Sequence, residues 1–187
     1  IGKNFLNAGV GYGGSCFPKD TKALKYLAKK NGYELKTIEA TVEVNEKQKV
    51  KLFYKASERM ITFKNIKIAI LGLTFKAGTD DLREAPSIDN IKLLLKNGAN
   101  DINVYDPVGE KNMKRIYPKE LNYTDSPIKA IENADICFIF TEWEEIKNIK
   151  PAQFKEKMKN PLVYDGRNLY KTEEMKKAGI EYYSIGR

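Results

Sequence analysis

From residue 66 onward, short apolar runs alternate with segments whose apolar residues recur every three or four positions. Residues 66–73 form a nearly continuous apolar run, the pattern of a parallel strand covered on both faces. Residues 102–105, 136–140, 162–164 and 182–185 predict further strands. Between the first two, Ser87 can cap a helix whose stripe is Ile88, Ile91, Leu94 and Leu95, and Gly98 can stop it. Asp125-Ser126-Pro127 introduces a short helix after a loop region, and residues 152–158 and 172–178 predict two more. Strands spaced by helices imply right-handed crossovers, and therefore an α/β fold built on a doubly wound parallel sheet.

Residues 1–63 differ in texture. After a glycine-rich opening, Asp20 or Thr21 can cap a helix that aligns Ala23, Leu24, Leu27 and Ala28, with Gly32 beyond its end. A second helical stretch over 44–60 presents Leu52, Phe53, Ala56 and Met60 to a partner. Two narrow apolar faces cannot enclose a core of their own, so these helices must pack on the α/β unit, on another chain or on residues outside this one. The organisation expected is a helical segment over 1–63 and an α/β domain over 64–187. Because the chain opens on Ile1 rather than methionine, it also reads as a fragment or processed product.

Composition narrows the chemistry. The 187 residues carry no histidine, which removes the commonest general base and metal ligand, so no metal site is expected. The net charge of +8 invites a nucleic-acid partner, but five of the 33 cations are arginine and the lysines are spread through the helical segments. A solvated lysine-rich surface is the better account, and no nucleic-acid partner is expected. No apolar run reaches membrane-spanning length, so the reading is a cytoplasmic protein without a membrane partner. The two cysteines are far apart and suggest neither a metal motif nor a disulfide.

Cys16 closes the segment from Gly9 to Gly14 and precedes the predicted helix. The glycines permit close backbone approach to a ligand and leave amides free for an anion. A helix N-terminus and Lys19 would favour a thiolate there, making Cys16 a candidate nucleophile. The plain alternative is a glycine loop with a small buried thiol. Cys137, between Ile136 and Phe138, reads as core.

Residues 71–86 occupy the first strand-to-helix crossover, where open α/β sheets bind ligands. Gly72 and Gly78 lack the spacing of a dinucleotide fingerprint, whereas Phe75, Lys76 and Arg83 could meet a ring and phosphates. A surface loop held by Arg83 pairing with Asp80, Asp81 or Glu84 is the alternative. At a later strand end, Asp165 could orient Arg167 towards an anion, or the two could form a plain turn. Tyr105-Asp106-Pro107 and Thr141-Glu142-Trp143 read as turn and packing segments.

Four blocks in order, Gly13-Gly14-Ser15-Cys16-Phe17-Pro18-Lys19-Asp20, then Gly72-Leu73-Thr74-Phe75-Lys76 with Asp81-Leu82-Arg83-Glu84, then Tyr105-Asp106-Pro107, then Asp165-Gly166-Arg167, resemble the nucleotide-sugar 6-dehydrogenase family. The resemblance spans essentially the whole chain, and Phe17-Pro18-Lys19-Asp20 is similar to the UDP-glucose branch. It implies a Rossmann-like domain that binds a UDP-sugar, preceded by a helical segment that carries a homodimer contact. The activity implied is NAD-dependent oxidation of the hexose primary alcohol to a carboxylate, through a thiohemiacetal and a thioester on Cys16. By the same resemblance Asp20 serves the hydrolytic water, while Asn7, Ala8, Gly9, Val10, Gly11, Tyr12 and Gly13 wrap sugar and phosphates. Phe75, Lys76 and Arg167 contact the substrate, and Arg83 reaches NAD.

The family layout implies a separate NAD domain ahead of these residues. Without it the chain is the nucleotide-sugar half of a dehydrogenase and is expected to be inactive alone, since cofactor orientation supplies much of the acceleration. Two alternatives stand beside this reading: a dehydrogenase of GDP-mannose or another nucleotide sugar, and a non-catalytic nucleotide-sugar-binding or dimerisation module.

Overall fold

The computed structural model describes residue 2 and residues 6–186. Three helices come first: α1 (Cys16–Lys30), α2 (Lys36–Lys49) and α3 (Lys51–Ser57). They lead into β1 (Lys67–Leu71), α4 (Pro86–Lys96), β2 (Asp101–Tyr105), α5 (Glu110–Ile116) and β3 (Asn122–Tyr123). The chain continues through α6 (Pro127–Ile131), β4 (Ile136–Ile139), α7 (Glu144–Lys147), α8 (Pro151–Lys157), β5 (Leu162–Asp165), α9 (Thr172–Lys177) and β6 (Glu181–Ser184). All six strands pair in parallel in the order β3-β2-β1-β4-β5-β6. The order reverses between β1 and β4, which opens a crevice beyond their carboxyl ends.

Alternate strand residues enter different layers, as the two-residue side-chain period requires. Ile68, Ile70, Ile136, Phe138 and Tyr164 pack on one face with Ile91 and Leu94 of α4 and Met113 of α5. Ala69, Leu71, Cys137, Ile139 and Val163 pack on the other with Ala130 and Ile131 of α6, Phe154 of α8 and Met175 of α9. Cys137 is therefore core, and burial pushes its thiol far above the usual range.

The helices at the start divide in what they bury. Leu52, Phe53 and Ala56 of α3 join the first layer, and each of the two larger side chains contributes roughly 1.5–3 kcal/mol by leaving water. By contrast Leu24 and Leu27 of α1 stay exposed, and Pro18 is that helix's buried residue. The stretch expected over 44–60 is two helices, starting eight residues earlier at Lys36 and broken at Val50. Asn90 of α4 causes the break. Its amide donates to Lys49 O at 2.8 Å and accepts from Phe53 N at 3.2 Å, inserting between two groups that would otherwise bond each other.

Two helix starts differ from expectation. α1 begins at Cys16, not near Asp20, because Pro18 lies in the first turn, where an amide has no intrahelical acceptor to miss. Thr21 does not cap it; its hydroxyl donates back to Phe17 O at 2.6 Å. In α4, Ala85 is the N-cap, and the buried Ser87 hydroxyl reaches the Leu73 carbonyl at the end of β1. Gly98 ends α4 as expected, at φ 89°, with Ala99 N bonded to Leu94 O and its own N–H to Leu95 O.

Candidate functional site

The site is built where the glycine-rich segment crosses the carboxyl ends of the strands. Val10 N–H donates to Gly166 O at 3.0 Å, and the Val10 side chain is fully buried over that glycine. Two residues of α2 then grip the segment. Asn45 accepts from Tyr12 N–H at 2.8 Å and donates to Tyr12 O at 3.1 Å, and Gln48 donates to Gly9 O at 2.7 Å. Next, Gly14 N–H donates to Arg83 O at 2.7 Å.

Glycine is required at the closest approaches. A Cβ on Gly13 would lie 2.3 Å from Glu84 O, and one on Gly14, whose φ is +81°, would lie 2.7 Å from the Phe75 ring. Gly13→Ala is therefore expected to push the segment off the Arg83-Glu84 peptide and speed exchange of the Gly14 amide hydrogen about tenfold. Hydrogen-exchange mass spectrometry checks this; parent-like Gly14 protection would contradict it.

The resulting cleft encloses about 640 Å³. Of the residues expected to bind ligand, Asn7, Gly9, Gly11, Tyr12, Gly13, Phe75, Lys76 and Arg167 line it together with Cys16. Ser15, Phe17 and Glu142 line it as well. Ala8 and Val10 do not line it; the Val10 side chain is spent on the core. Asp20 lies outside on α1, exposed and paired with Lys19 at 3.3 Å. Lys19 thus faces a carboxylate, and the support expected from it for a Cys16 thiolate is shared with that partner.

Arg83 also lies outside the cleft, in a groove with Asp80, Ile88 and Arg115. Its guanidinium forms a fork with Asp81, Nε–Oδ1 at 2.9 Å and Nη2–Oδ2 at 2.7 Å, which is the loop-holding pairing that local sequence allowed. Asp81 is the main cause raising the affinity of Arg83 for its proton. The same fork holds the Asp81 carboxyl below its usual range.

Arg167 is the most constrained cation of the cleft. Nε–H donates to Phe140 O at 2.8 Å, Nη2 donates to Phe75 O at 2.7 Å, and its backbone N–H donates to Asp165 Oδ1 at 2.8 Å. Glu142 Oε2 lies 3.2 Å from Nε, an ion pair without hydrogen-bond alignment because that single N–H is already directed at Phe140. Burial lowers the Arg167 pKa, and Glu142 and Asp165 oppose the shift, so the guanidinium stays charged. Asp165 itself is buried, which raises its carboxyl, while the Tyr182 hydroxyl at 2.7 Å and the Arg167 and Leu169 amides counter the rise. Lys76 Nζ stands 5.5 Å from the Phe75 ring centroid. The cleft therefore offers a ring and two cations to an anionic ligand, with the Glu142 carboxylate and a thiol at its wall.

Sequence reasoning missed the contribution of Asp106. Its Oδ2 accepts from Leu73 N, Thr74 N, Thr74 Oγ1 and Trp143 Nε1, and its Oδ1 from Val108 N and Gly109 N. One carboxylate thus ties the loops after β1, β2 and β4, including the loop that carries Phe75 and Lys76. Asn45 and Gln48 were missed too, since polar residues on a helix carry no local signal of a distant loop.

Comparison with known proteins decides the family. The UDP-binding domain of the UDP-glucose/GDP-mannose dehydrogenase family matches residues 69–172, and the central domain of the same family matches residues 1–47. The chain belongs to the UDP-glucose/GDP-mannose dehydrogenase family. Among relatives of this dehydrogenase-family chain, UDP-glucose 6-dehydrogenase TuaD of Bacillus subtilis is 44% identical over 187 residues, covering 100% of this chain and 40% of that protein. UDP-glucose 6-dehydrogenase YwqF of the same organism is 41% identical, over 100% of this chain and 42% of its own length. A solved UDP-glucose dehydrogenase from the archaeon Pyrobaculum islandicum superposes with a TM-score of 0.82 at 28% identity, covering 100% of this chain and 40% of that one. The family member described here thus spans about two fifths of the length of the curated relatives it matches.

Proposed function

We propose that this chain forms the nucleophile and UDP-sugar-binding part of an NAD-dependent UDP-glucose 6-dehydrogenase, with residues 1–63 as the helical central segment and 64–187 as the UDP-binding domain. The observation that carries the reading is that Cys16 lines the same cleft as Lys76 and Arg167, beneath a glycine segment shaped for close approach. Relatives about two fifths identical across the whole chain, themselves UDP-glucose 6-dehydrogenases, support the choice of sugar.

In this reading Arg167 and Lys76 neutralise the diphosphate and the segment from Gly9 to Gly13 wraps the hexose. Once the primary alcohol has become an aldehyde, the Cys16 thiolate adds to its carbon; a C–S bond forms, the carbonyl electron pair moves to oxygen, and a thiohemiacetal results. Loss of a hydride and of the hydroxyl proton leaves a thioester; water then adds to the carbonyl and the C–S bond breaks, releasing the uronate, the thiolate and two protons. NAD supplies the hydride acceptor in this family reading. The β1–α4 crossover lacks a glycine fingerprint, and Arg83, the residue expected to reach NAD, forms an exposed pair with Asp81. No hydride step is therefore assigned to residues of this chain. Asp20 would have to leave Lys19 to serve the hydrolytic water.

The test is alkylation by iodoacetamide. Cys16 should label selectively over the buried Cys137, and UDP-glucose should protect it at concentrations where GDP-mannose does not. Protection by GDP-mannose alone would move the assignment to the other branch, and no protection by either would remove it.

The exposed Leu24, Tyr26 and Leu27 of α1 support a homodimer contact on that helix. Leu27→Glu is expected to shift the sedimentation coefficient from dimer to monomer; an unchanged value would place the contact elsewhere.

A further inference from the structure

α2 buries two residues, Asn45 and Lys49, and both are polar. A helix that packs on a domain ordinarily buries an apolar stripe, so this face serves something other than the hydrophobic core. Asn45 holds Tyr12 of the glycine segment. Lys49 reaches further. Its side chain is 2% exposed, and its ammonium donates to Glu84 Oε2 at 2.6 Å and to Glu46 Oε1 at 3.0 Å.

Glu84 is the junction of the cluster. It adopts φ 55°, a left-handed conformation uncommon for a residue with a branched or long side chain. Its other oxygen accepts from Lys22 of α1 at 2.9 Å. Its carbonyl faces Gly13, and the preceding carbonyl, that of Arg83, accepts from Gly14 N–H at 2.7 Å. Ser15 and Cys16 follow at once. Burial alone would push the Lys49 ammonium down; Glu84 and Glu46 reverse this and raise it, while the two lysines hold Glu84 low. The half-buried Asp89 adds a further negative charge that acts on Lys49.

We infer that Lys49 is a positioning residue for the nucleophile. Through Glu84 it locks the left-handed Arg83-Glu84 turn against the Gly13-Gly14 backbone, and so fixes where α1 begins and where the Cys16 sulfur points. The assignment rests on the proposed role of Cys16. The buried charge is kept at the cost of desolvating an ammonium, which a neutral side chain of the same length would avoid.

The experiment compares amide hydrogen exchange in the intact protein and in its Lys49→Met, Lys49→Arg and Glu84→Gln variants. Gly14 N–H should exchange about tenfold faster in Lys49→Met and Glu84→Gln, while Val10 N–H, bonded to Gly166, stays within about twofold of the parent. Lys49→Arg should restore Gly14 protection. In the same variants the rate of Cys16 alkylation should change and UDP-glucose affinity should fall about tenfold. A general loss of stability would accelerate both amides together, and that result, or parent-like Gly14 protection in folded Lys49→Met, would overturn the inference. Should Lys49→Met fail to fold, Glu84→Gln decides by the same comparison. If the parent does not bind UDP-glucose, the functional reading fails, while the exchange comparison still decides whether Lys49 sets the turn.

Discussion

In a full-length enzyme that contains this chain, Cys16→Ser is expected to lower the rate of UDP-glucuronate formation by on the order of 10⁴-fold or more while leaving UDP-glucose affinity within a factor of about three. A serine hydroxyl is almost wholly protonated near neutral pH and needs an adjacent base to attack a carbonyl. The chain has no histidine to act as one. Lys19 is paired with Asp20, and the Ser15 hydroxyl lies 3.9 Å from the sulfur. Steady-state kinetics with NAD, paired with calorimetry, separate the two effects. Unimpaired turnover by the serine variant would remove covalent catalysis from the reading.

Asp106→Ala should cost about 3–5 kcal/mol of folding stability, measured as a lowered urea midpoint at unchanged slope. The carboxylate is 4% exposed and accepts six hydrogen bonds from three separate loops. Deleting it leaves four backbone amides, a threonine hydroxyl and an indole N–H to find new partners where water has little access. Asp106→Asn is expected to be milder, because one of its two side-chain atoms still accepts. A variant whose midpoint matched the parent's would show that the three loops are held by other contacts.

The sheet was legible because its signal is collective. Strands such as 136–139 sit between two layers and must be apolar at every position, which local sequence displays. β3 gave no such signal, being two residues at the sheet edge with neither buried. α5 buries Met113 alone, too few apolar positions to set a period. At the start of α1, Pro18 reads as a brake to local rules, yet the first turn tolerates it.

The site was legible in part for a similar reason. Cys16, Phe75, Lys76 and Arg167 stand in motifs whose residue types announce chemistry, and the structure gathers all four around one cleft. What holds them there was not legible. Asn45, Gln48 and Lys49 act across 33 to 39 residues of sequence on the glycine segment and its support, and Asp106 across 32 to 37 on the loops beside it. Such pairings depend on tertiary placement, which spacing along the chain does not encode. Arg83 shows the converse: a motif residue whose guanidinium forms a fork with its local partner Asp81, the loop-holding pairing that local sequence allowed.

The Val10–Gly166 contact also bears on the order in which the molecule takes shape. A ribosome delivers residue 10 long before residue 166, so Val10 lacks its partner until the fifth strand has emerged and paired. The nucleophile's surroundings are therefore completed late in biosynthesis, and a nascent chain halted before that strand would carry the thiol without its binding wall.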